Sequence, residues 1–305
     1  MGVQTVVVGP ERDGQRIDNA LAALLKGVPR SLIYRLLRTG QVRVNGKRAK
    51  PDTRLNEGDS LRIPPVRRAE GGESGAPPPA MLKQVVDAVI FEDRDFLAID
   101  KPSGVASHGG SGVSFGAIEL LRAGRPKDHL ELVHRLDRDT SGVLLFARTR
   151  AGLTGVQALI RDGGVKKQYL CLMTGALKRT KFDVNAPLRK SALSGGERMV
   201  RVDEEGKPAL TFFREIERYR GASLVEATLD TGRTHQIRVH AAHAGHPVAG
   251  DPKYGDREAN KHFRALGLKR LFLHAARFEF ELGGRAYSFS APLPDDLRTV
   301  LDRLV

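Results

Sequence analysis

The run Glu131-Leu132-Val133-His134-Arg135-Leu136-Asp137-Arg138-Asp139-Thr140-Ser141-Gly142-Val143-Leu144-Leu145-Phe146-Ala147 sets a dense polar loop between two apolar flanks. Leu132 and Val133 enter it, and a β-type sequence, Val143 to Ala147, leaves it. Fully solvated charges need no apolar strands on either side, whereas a loop held between buried strands is a rigid mount for catalytic groups. Asp137 and Asp139 lie two apart, so in an extended loop both side chains leave on the same side. Arg135 and Arg138 are near enough in sequence to hold either carboxylate ionised. Thr140-Ser141-Gly142 reads as a turn that aims the loop before the next strand. An ion-paired surface turn is the bland alternative for any such charge-rich loop.

Downstream, Thr149 to Asp162 reads as a helix closed by Gly163-Gly164, and Val165 to Met173 as a strand carrying Lys167-Gln168-Tyr169. On its residues alone, Tyr169 is a half-buried strand aromatic. Lys181 to Leu210 is polar, with a turn at Gly195 to Arg198. Two β-rich runs, Leu210 to Arg214 and Ser223 to Leu229, lead into Asp230-Thr231-Gly232-Arg233-Thr234-His235-Gln236-Ile237-Arg238-Val239-His240. His240, His243 and His246 recur at intervals that suggest a metal, but Gly245 and Pro247 put His246 outside any helix and no carboxylate completes a ligand set, so packing is the expected role. Gly250 to Gly255 is a tight loop; Leu271 to Ala275 and Arg277 to Phe280 alternate as closing strands, and Ala291-Pro292-Leu293-Pro294 ends the fold.

Upstream, Val85 to Phe91 and Phe96 to Asp100 read as a hairpin ending in Lys101-Pro102-Ser103-Gly104, and Ser114 to Arg122 as a helix. The glycines of His108 to Gly112 miss both the dinucleotide fingerprint and the phosphate-loop pattern. A protein-kinase reading fails, because the order is His-Arg-Leu-Asp and no Asp-Phe-Gly exists. Residues 65–81 are rich in proline and glycine and poor in apolar side chains, which makes them a flexible linker between domains 1–64 and 82–305.

In the first domain, Gln15 to Lys26 is a helix with Ile17, Leu21, Leu24 and Leu25 on one face, ended by Gly27. Pro29 to Thr39 is a second, with Leu32, Ile33, Leu36 and Leu37 as its buried stripe and Arg30, Arg35 and Arg38 on the other side. Gln41 to Lys47, including Arg43 and Lys47, runs as a strand into an Asn45-Gly46 hairpin turn, and Ser60 to Ile63 is a further strand.

Composition narrows the function class. The formal charge is +14, and residues 1–68 hold 14 Lys and Arg against 6 Asp and Glu, so more than half the excess sits in under a quarter of the chain. That asymmetry points to a polyanion, and to nucleic acid over a membrane, since the basic segment lacks the apolar face of an interfacial helix. Neither a membrane-spanning run nor a signal pattern is present, and Cys171 is the single cysteine, which excludes a cysteine-rich zinc site and suits a soluble protein of a reducing cytoplasm.

The central run resembles the His-Arg-Leu-Asp-x-x-Thr-Ser-Gly signature of the RluA-type pseudouridine synthases, and Gly232 to Arg238 resembles that family's second signature. The Lys-x-Tyr at 167–169, the Lys101-Pro102 loop and Gly250 to Gly255 fit the same pattern. The first domain is similar to the S-four-type RNA-binding domain through Arg16-Ile17-Asp18, the basic second helix, Gly40-Gln41-Val42 and Val44-Asn45-Gly46; a helical cap that happens to be basic is the alternative. The resemblance implies an α+β fold: a small N-terminal S-four-type domain plus a catalytic domain on a mixed, mostly antiparallel central sheet. It implies isomerisation of uridine to pseudouridine in large-subunit ribosomal RNA, with Asp137 as the catalytic carboxylate, Arg238 as the basic partner that keeps it ionised, and Tyr169 against the target base. Arg135 would fill the gap left by the flipped base, and Arg30, Arg35, Arg38, Arg43 and Lys47 would meet RNA. No cofactor or metal is expected, and nothing demands a dimer, so a monomer is expected. The rival classes are a non-catalytic RNA-binding factor, which would be indifferent to Asp137→Asn, and a transfer-RNA-modifying branch of the same family.

Overall fold

The computed structural model describes residues 3–25, 28, 30–66, 76–110, 113–192 and 198–304, without the side chains of residues 30, 31, 192 and 198. Gly27 and Pro29, most of the expected linker, Ser111-Gly112 and the turn at Gly195 to Glu197 therefore lie outside the described residues. The chain divides into two compact units, 1–77 and 78–305.

The first unit holds β1 (Gln4–Val7), α1 (Ile17–Leu24), α2 (Arg30–Arg38), β2 (Arg43–Val44), β3 (Lys47–Arg48) and β4 (Ser60–Ile63), its sheet ordered β1-β4-β2-β3. The helices bury the stripes that their periodicity predicts: Ile17 and Leu21 meet Ile33, Leu36, Leu37, Leu61 and Ile63 in one core. Each such side chain, fully withdrawn from water, contributes about 1.5–3 kcal/mol. β1 carried no periodic signal, being exposed along most of its length, and is held by backbone pairing to β4. The β2–β3 turn places Asn45 at φ 48° and Gly46 at φ 77°, the left-handed pair that a two-residue hairpin needs. Asp18 is buried, gripped by Arg16 at 2.8 and 3.1 Å and by the Tyr34 hydroxyl at 3.0 Å. The Arg16 hydrogen bond is the main reason its carboxyl lies below the usual range.

The second unit opens with α3 (Pro79–Val86) and β5 (Val89–Glu92), followed by β6 (Phe96–Lys101), α4 (Ala117–Gly124), β7 (Glu131–Leu132) and β8 (Ser141–Ala147). Next come α5 (Arg150–Asp162), β9 (Val165–Thr174), β10 (Lys181–Asn185), β11 (Leu188–Ala192), β12 (Arg198–Val202), β13 (Leu210–Tyr219) and β14 (Ala222–Leu229). The chain closes with α6 (Gln236–His243), α7 (Arg257–Ala265), β15 (Leu273–Leu282), β16 (Arg285–Ser290) and α8 (Asp295–Asp302). The main sheet runs β10-β13-β14-β9-β15-β8-β6-β5, with β16 added to β15 and β7 to β8. Among the described strands only β8 and β15 pair in parallel, so the sheet is mixed and mostly antiparallel.

β8 is buried on both faces. Leu144 and Phe146 enter one core, while Val143, Leu145 and Ala147 enter another on the opposite side. This is why its sequence is continuously apolar instead of alternating. Ser141 and Gly142 already belong to this strand and are not a turn ahead of it. Gly142 lies at φ +109°, and a Cβ there would sit 2.2 Å from the Ala275 carbonyl oxygen. The close parallel crossing with β15 requires glycine.

Four sequence expectations are corrected. Pro79 to Met81, expected in the linker, form the first turn of α3, which also takes Val85 and Val86 from the expected hairpin; proline is pre-organised at that position of a helix. The polar segment after Lys181 holds β10, β11 and β12. The two closing strands are one strand, β15, with a register shift between Ala275 and Arg277. The fold continues past Pro294 into α8, whose Leu297, Val300 and Leu301 are buried.

Candidate active site

Asp137 sits in the loop between β7 and β8, and both sides of that loop are anchored through the backbone. The buried Ser107 hydroxyl donates to the Leu136 carbonyl at 2.8 Å and accepts from the Leu136 amide at 2.9 Å. Lys101, fully buried, spreads its ammonium over the carbonyls of Pro102, Val105 and Arg138 at 2.9, 2.7 and 3.1 Å. Burial brings that ammonium down to about 7, against the pull of the Asp139 and Asp137 charges. Ser103 donates to the Asp139 carbonyl at 2.8 Å. His134 stacks on Phe278 with centroids 4.5 Å apart and accepts from the Leu145 amide at 3.2 Å. Burial, with Lys167's charge second, pushes its imidazole down to about 3, so it is a neutral wedge.

The loop is not extended at its tip. The Thr140 amide bonds back to the Asp137 carbonyl at 3.2 Å, and this turn separates the two carboxylates. Asp139 pairs with Arg138 at 3.5 Å, and Arg135 donates to His108 Nε2 at 3.0 Å, so neither loop arginine is the partner of Asp137. That partner is Arg238, whose Nη1 donates to Asp137 Oδ2 at 3.2 Å across 101 residues of sequence.

Arg238 is itself fixed from behind. Its Nε and Nη2 grip the two oxygens of Asp251 at 2.7 and 2.8 Å, a two-pronged pair in which Asp251 is fully buried and Arg238 nearly so. Asp251 Oδ1 also accepts from the Lys253 and Tyr254 amides at 2.8 and 3.1 Å. Burial works against both charges, but each outweighs it for the other: the guanidinium is raised by Asp251 and then Asp137, and the Asp251 carboxyl is lowered by Arg238 and the two amides. The second motif supplies this geometry residue by residue. Gln236 accepts from Thr231 Oγ1 and the Arg233 amide and donates to the Leu210 carbonyl and Thr211 Oγ1, which locks the start of α6 onto β13. Ile237 enters the core. Arg238 is left to face Asp137.

Asp137 and Tyr169 lie on one cleft of about 520 Å³, together with Arg135, Lys167, Arg233 and apolar walls from Val133, Leu136, Ile160 and Leu229. Tyr169 is buried on β9. Its phenol is raised well above the ordinary range, by burial first and by the Asp137 charge second, and it keeps its proton. Of the basic candidates in the first unit, Arg35, Arg38, Arg43 and Lys47 are exposed, and the Arg30 side chain lies outside the described residues. His240 bonds through both ring nitrogens, to Thr211 Oγ1 and the Ala186 carbonyl, while His246 meets the Thr174 carbonyl. Among the described residues no His, Cys, Asp and Glu side chains group as a metal site.

Sequence reasoning missed Asp251, Tyr254, His235, Lys167 and Arg233. The first two stand in the tight loop Gly250 to Gly255, recognised as a loop but given no role. His235 and Arg233 lie inside the second motif. The loop and the motifs were recognised; what was absent was any sequence sign that they meet.

A family model described as RNA pseudouridylate synthase matches residues 95–243, which hold Asp137, Tyr169 and Arg238, and an S4 domain model matches residues 15–61. Two curated relatives, each a "Ribosomal large subunit pseudouridine synthase C", are 50% identical over 308 residues: that of Escherichia coli, covering 99% of this chain and 97% of the relative, and that of Haemophilus influenzae, covering 99% and 95%. The chain belongs to the RNA pseudouridylate synthase family. It is thus an isomerase with an RNA-binding S-four-type domain at its N-terminal end. The solved structure of Human RNA Pseudouridylate Synthase Domain Containing 1 matches with a TM-score of 0.58 at 26% identity, over 67% of this chain and 82% of that one. The solved structure of Human RNA Pseudouridylate Synthase Domain Containing 4 shares the fold, with a TM-score of 0.62 at 24% identity over 74% of this chain and 95% of that one.

Proposed function

We propose that this synthase isomerises uridines of large-subunit ribosomal RNA, with Asp137 as its catalytic carboxylate. The substrate class rests on near full-length identity of 50% to relatives named for the large ribosomal subunit. The role of Asp137 rests on one observation: its carboxylate stands on an open cleft while its back is held by a buried, doubly anchored guanidinium. A guanidinium fixed by two further bonds cannot follow a drifting carboxylate, so the pair has a set direction before substrate arrives.

The reaction breaks the bond from uracil N1 to the anomeric carbon, turns the ring, joins ring carbon five to the same sugar, releases the proton from that carbon and takes one up at N1. No electrons are gained or lost and no group is added, so the chemistry asks for neither cofactor nor metal. It asks for a carboxylate at the sugar, which can add to the anomeric carbon, stabilise an oxocarbenium-like state or take the sugar proton that leads to a glycal. All three need a carboxylate oxygen that faces the sugar and is free of other partners. Among the described residues both partners of Asp137 meet Oδ2, leaving Oδ1 for the substrate.

A stacked uridine must flip out, at a cost of a few kcal/mol. The cleft volume of about 520 Å³ lies within the range of small-molecule sites. Its apolar walls suit an extruded ring held against Tyr169, and Arg135 at its rim suits the vacated stack. Arg30, Arg35, Arg38, Arg43 and Lys47 of the domain at 1–64 contact RNA phosphates in this reading, the segment between residue 65 and the start of α3 joins it to the synthase domain, and the protein acts as a cytoplasmic monomer.

The test is tritium release from unmodified large-subunit ribosomal RNA labelled at uracil ring carbon five. Wild type should release label at sites that can be mapped, and Asp137→Asn should bind the RNA with affinity within about threefold yet turn over at least about a thousandfold more slowly. Release only from transfer RNA would overturn the substrate, and release that survives the substitution would overturn the carboxylate.

A further inference from the structure

Beside Arg238, a second side chain approaches the Asp137 carboxylate. His235 Nε2 lies 3.7 Å from Asp137 Oδ2. Its residue is held at φ 55°, in the left-handed region that is uncommon outside glycine and in which asparagine, aspartate and histidine are the most frequent exceptions; Asn45 is the other such residue among those described. A strained backbone held in place beside a reactive group is a common sign that the side chain has work there.

The hydrogen-bond pattern favours one placement of the imidazole proton. The Tyr254 hydroxyl accepts from the Val200 amide at 3.0 Å and stands 2.8 Å from His235 Nδ1. Among the described residues no other acceptor meets that hydroxyl, and in this placement it gives its own proton to Nδ1. With Nδ1 accepting, the imidazole proton sits on Nε2, aimed at Asp137. Burial keeps the ring below its usual range in spite of the Asp137 charge, and Arg238 and Lys253 add to this, so the ring stays neutral. At 3.7 Å the pair is too long for a hydrogen bond in this structure. Such contacts at reactive carboxylates tighten when substrate closes the site.

We infer that His235 is a positioning residue, whose Nε2–H, oriented by the Tyr254 hydroxyl, donates to Asp137 Oδ2 and holds Oδ1 toward the sugar. This rests on the reading of Asp137 as the catalytic carboxylate. Oδ2 then has two donors from two directions, Arg238 Nη1 and His235 Nε2, and the carboxylate plane cannot rotate about the single arginine contact. The chain Val200–Tyr254–His235–Asp137 also ties the β11–β12 hairpin to the reacting group.

The test compares three substitutions in single-turnover and steady-state tritium release. His235→Gly removes the imidazole while accepting the left-handed backbone. His235→Asn also tolerates that backbone and reaches Tyr254, but its amide nitrogen stops near the Nδ1 position. His235→Gln extends an amide N–H to about the Nε2 position. Glycine and asparagine should each lower kcat about tenfold with KM for RNA within twofold, and glutamine should return kcat to within about threefold of wild type. Wild-type kcat in the glycine and asparagine variants, a glutamine variant no better than asparagine, or a loss carried by KM alone would each overturn the inference. Asp137→Asn is run alongside: full activity there removes the underlying reading, whereas an inactive Asp137→Asn beside a fully active His235→Gly removes only this one.

Discussion

Asp251→Asn isolates what the anchored guanidinium contributes. The carboxylate takes four hydrogen bonds, from Arg238 Nε at 2.7 Å, Arg238 Nη2 at 2.8 Å and the amides of Lys253 and Tyr254 at 2.8 and 3.1 Å. The asparagine oxygen best replaces Oδ1, which carries three of these, so the amide NH2 must face Arg238 Nε, donor against donor. A nearly buried guanidinium then keeps one good bond to residue 251 and loses the buried one of its two counter-charges, leaving only Asp137. Removing one partner of a buried ion pair costs about 3–5 kcal/mol. In a unit of this size that corresponds to a melting temperature lower by about 10 °C. Calorimetry on the full chain reads this directly, and tritium release measured well below the new midpoint should show kcat down about a hundredfold as Arg238 loses its aim at Asp137. Asp137→Asn makes the contrast, since its side chain is 26% exposed and pairs only at the edge of the cleft; it should move the midpoint by less than about 3 °C. An Asp251→Asn protein that melts within about 2 °C of wild type and keeps kcat within threefold would refute the reasoning. The pH dependence has a definite sign. Asp251 has a folded pKa below its unfolded one, so its stabilisation is fully present above the unfolded value of about 4 and is lost as pH falls through the folded value. The stability gap between wild type and variant should close on that acid side.

Tyr169→Phe keeps a ring against the base but removes a phenol that holds its proton; RNA affinity should stay within about threefold while kcat falls at least about tenfold. Unchanged kcat would leave Tyr169 a stacking surface only. Lys101 has its ammonium lowered to about 7 in the fold, so between there and the unfolded value the unfolded chain binds the extra proton and stability rises with pH. Denaturant titrations should show wild type gaining on Lys101→Met over that window, by at most about 1.4 kcal/mol per pH unit, and a flat difference would refute the burial argument. Gly142→Ala forces a Cβ to within 2.2 Å of a backbone oxygen at a φ that alanine avoids, and it should cost several kcal/mol or prevent folding. A soluble variant with the wild-type midpoint would show that β8 and β15 can separate.

Where neighbours in sequence decide the outcome, the sequence was legible. α5, β9, the Asn45-Gly46 turn and the doubly buried β8 all follow from periodicity and turn chemistry. The α8 signal was there as well: acidic residues after Pro294, then Leu297, Val300 and Leu301 at helical spacing. It was masked by two prolines that read as an ending. α3 was hidden for a related reason, because a proline run looks like an extended linker until the last proline is recognised as a helix start. At the site, Asp137 and Arg238 were legible through motif resemblance, not through physics, since nothing within either motif says that they touch. Charge proximity in sequence favoured Arg135 and Arg138 as partners of Asp137, and the turn from Asp137 to Thr140 defeats that expectation. Asp251 was invisible because a fully buried acid has no periodic signature; only its partner, brought in by the helix thirteen residues earlier, makes sense of it.

The parallel crossing of β8 and β15 has a consequence for synthesis. Ser141 Oγ meets His274 Nδ1 at 2.9 Å across 133 residues, so the strand that carries the Asp137 loop, though already paired with β6 and β7, lacks its parallel neighbour β15 until almost the whole chain has emerged. At ordinary translation speeds of about 5–20 residues per second this is a wait on the order of ten seconds. During it the first unit, a compact body formed from residues 1–77, can already be complete. A nascent chain stalled before Leu273 should therefore present a finished RNA-binding module and no turnover, and activity should appear late and all at once.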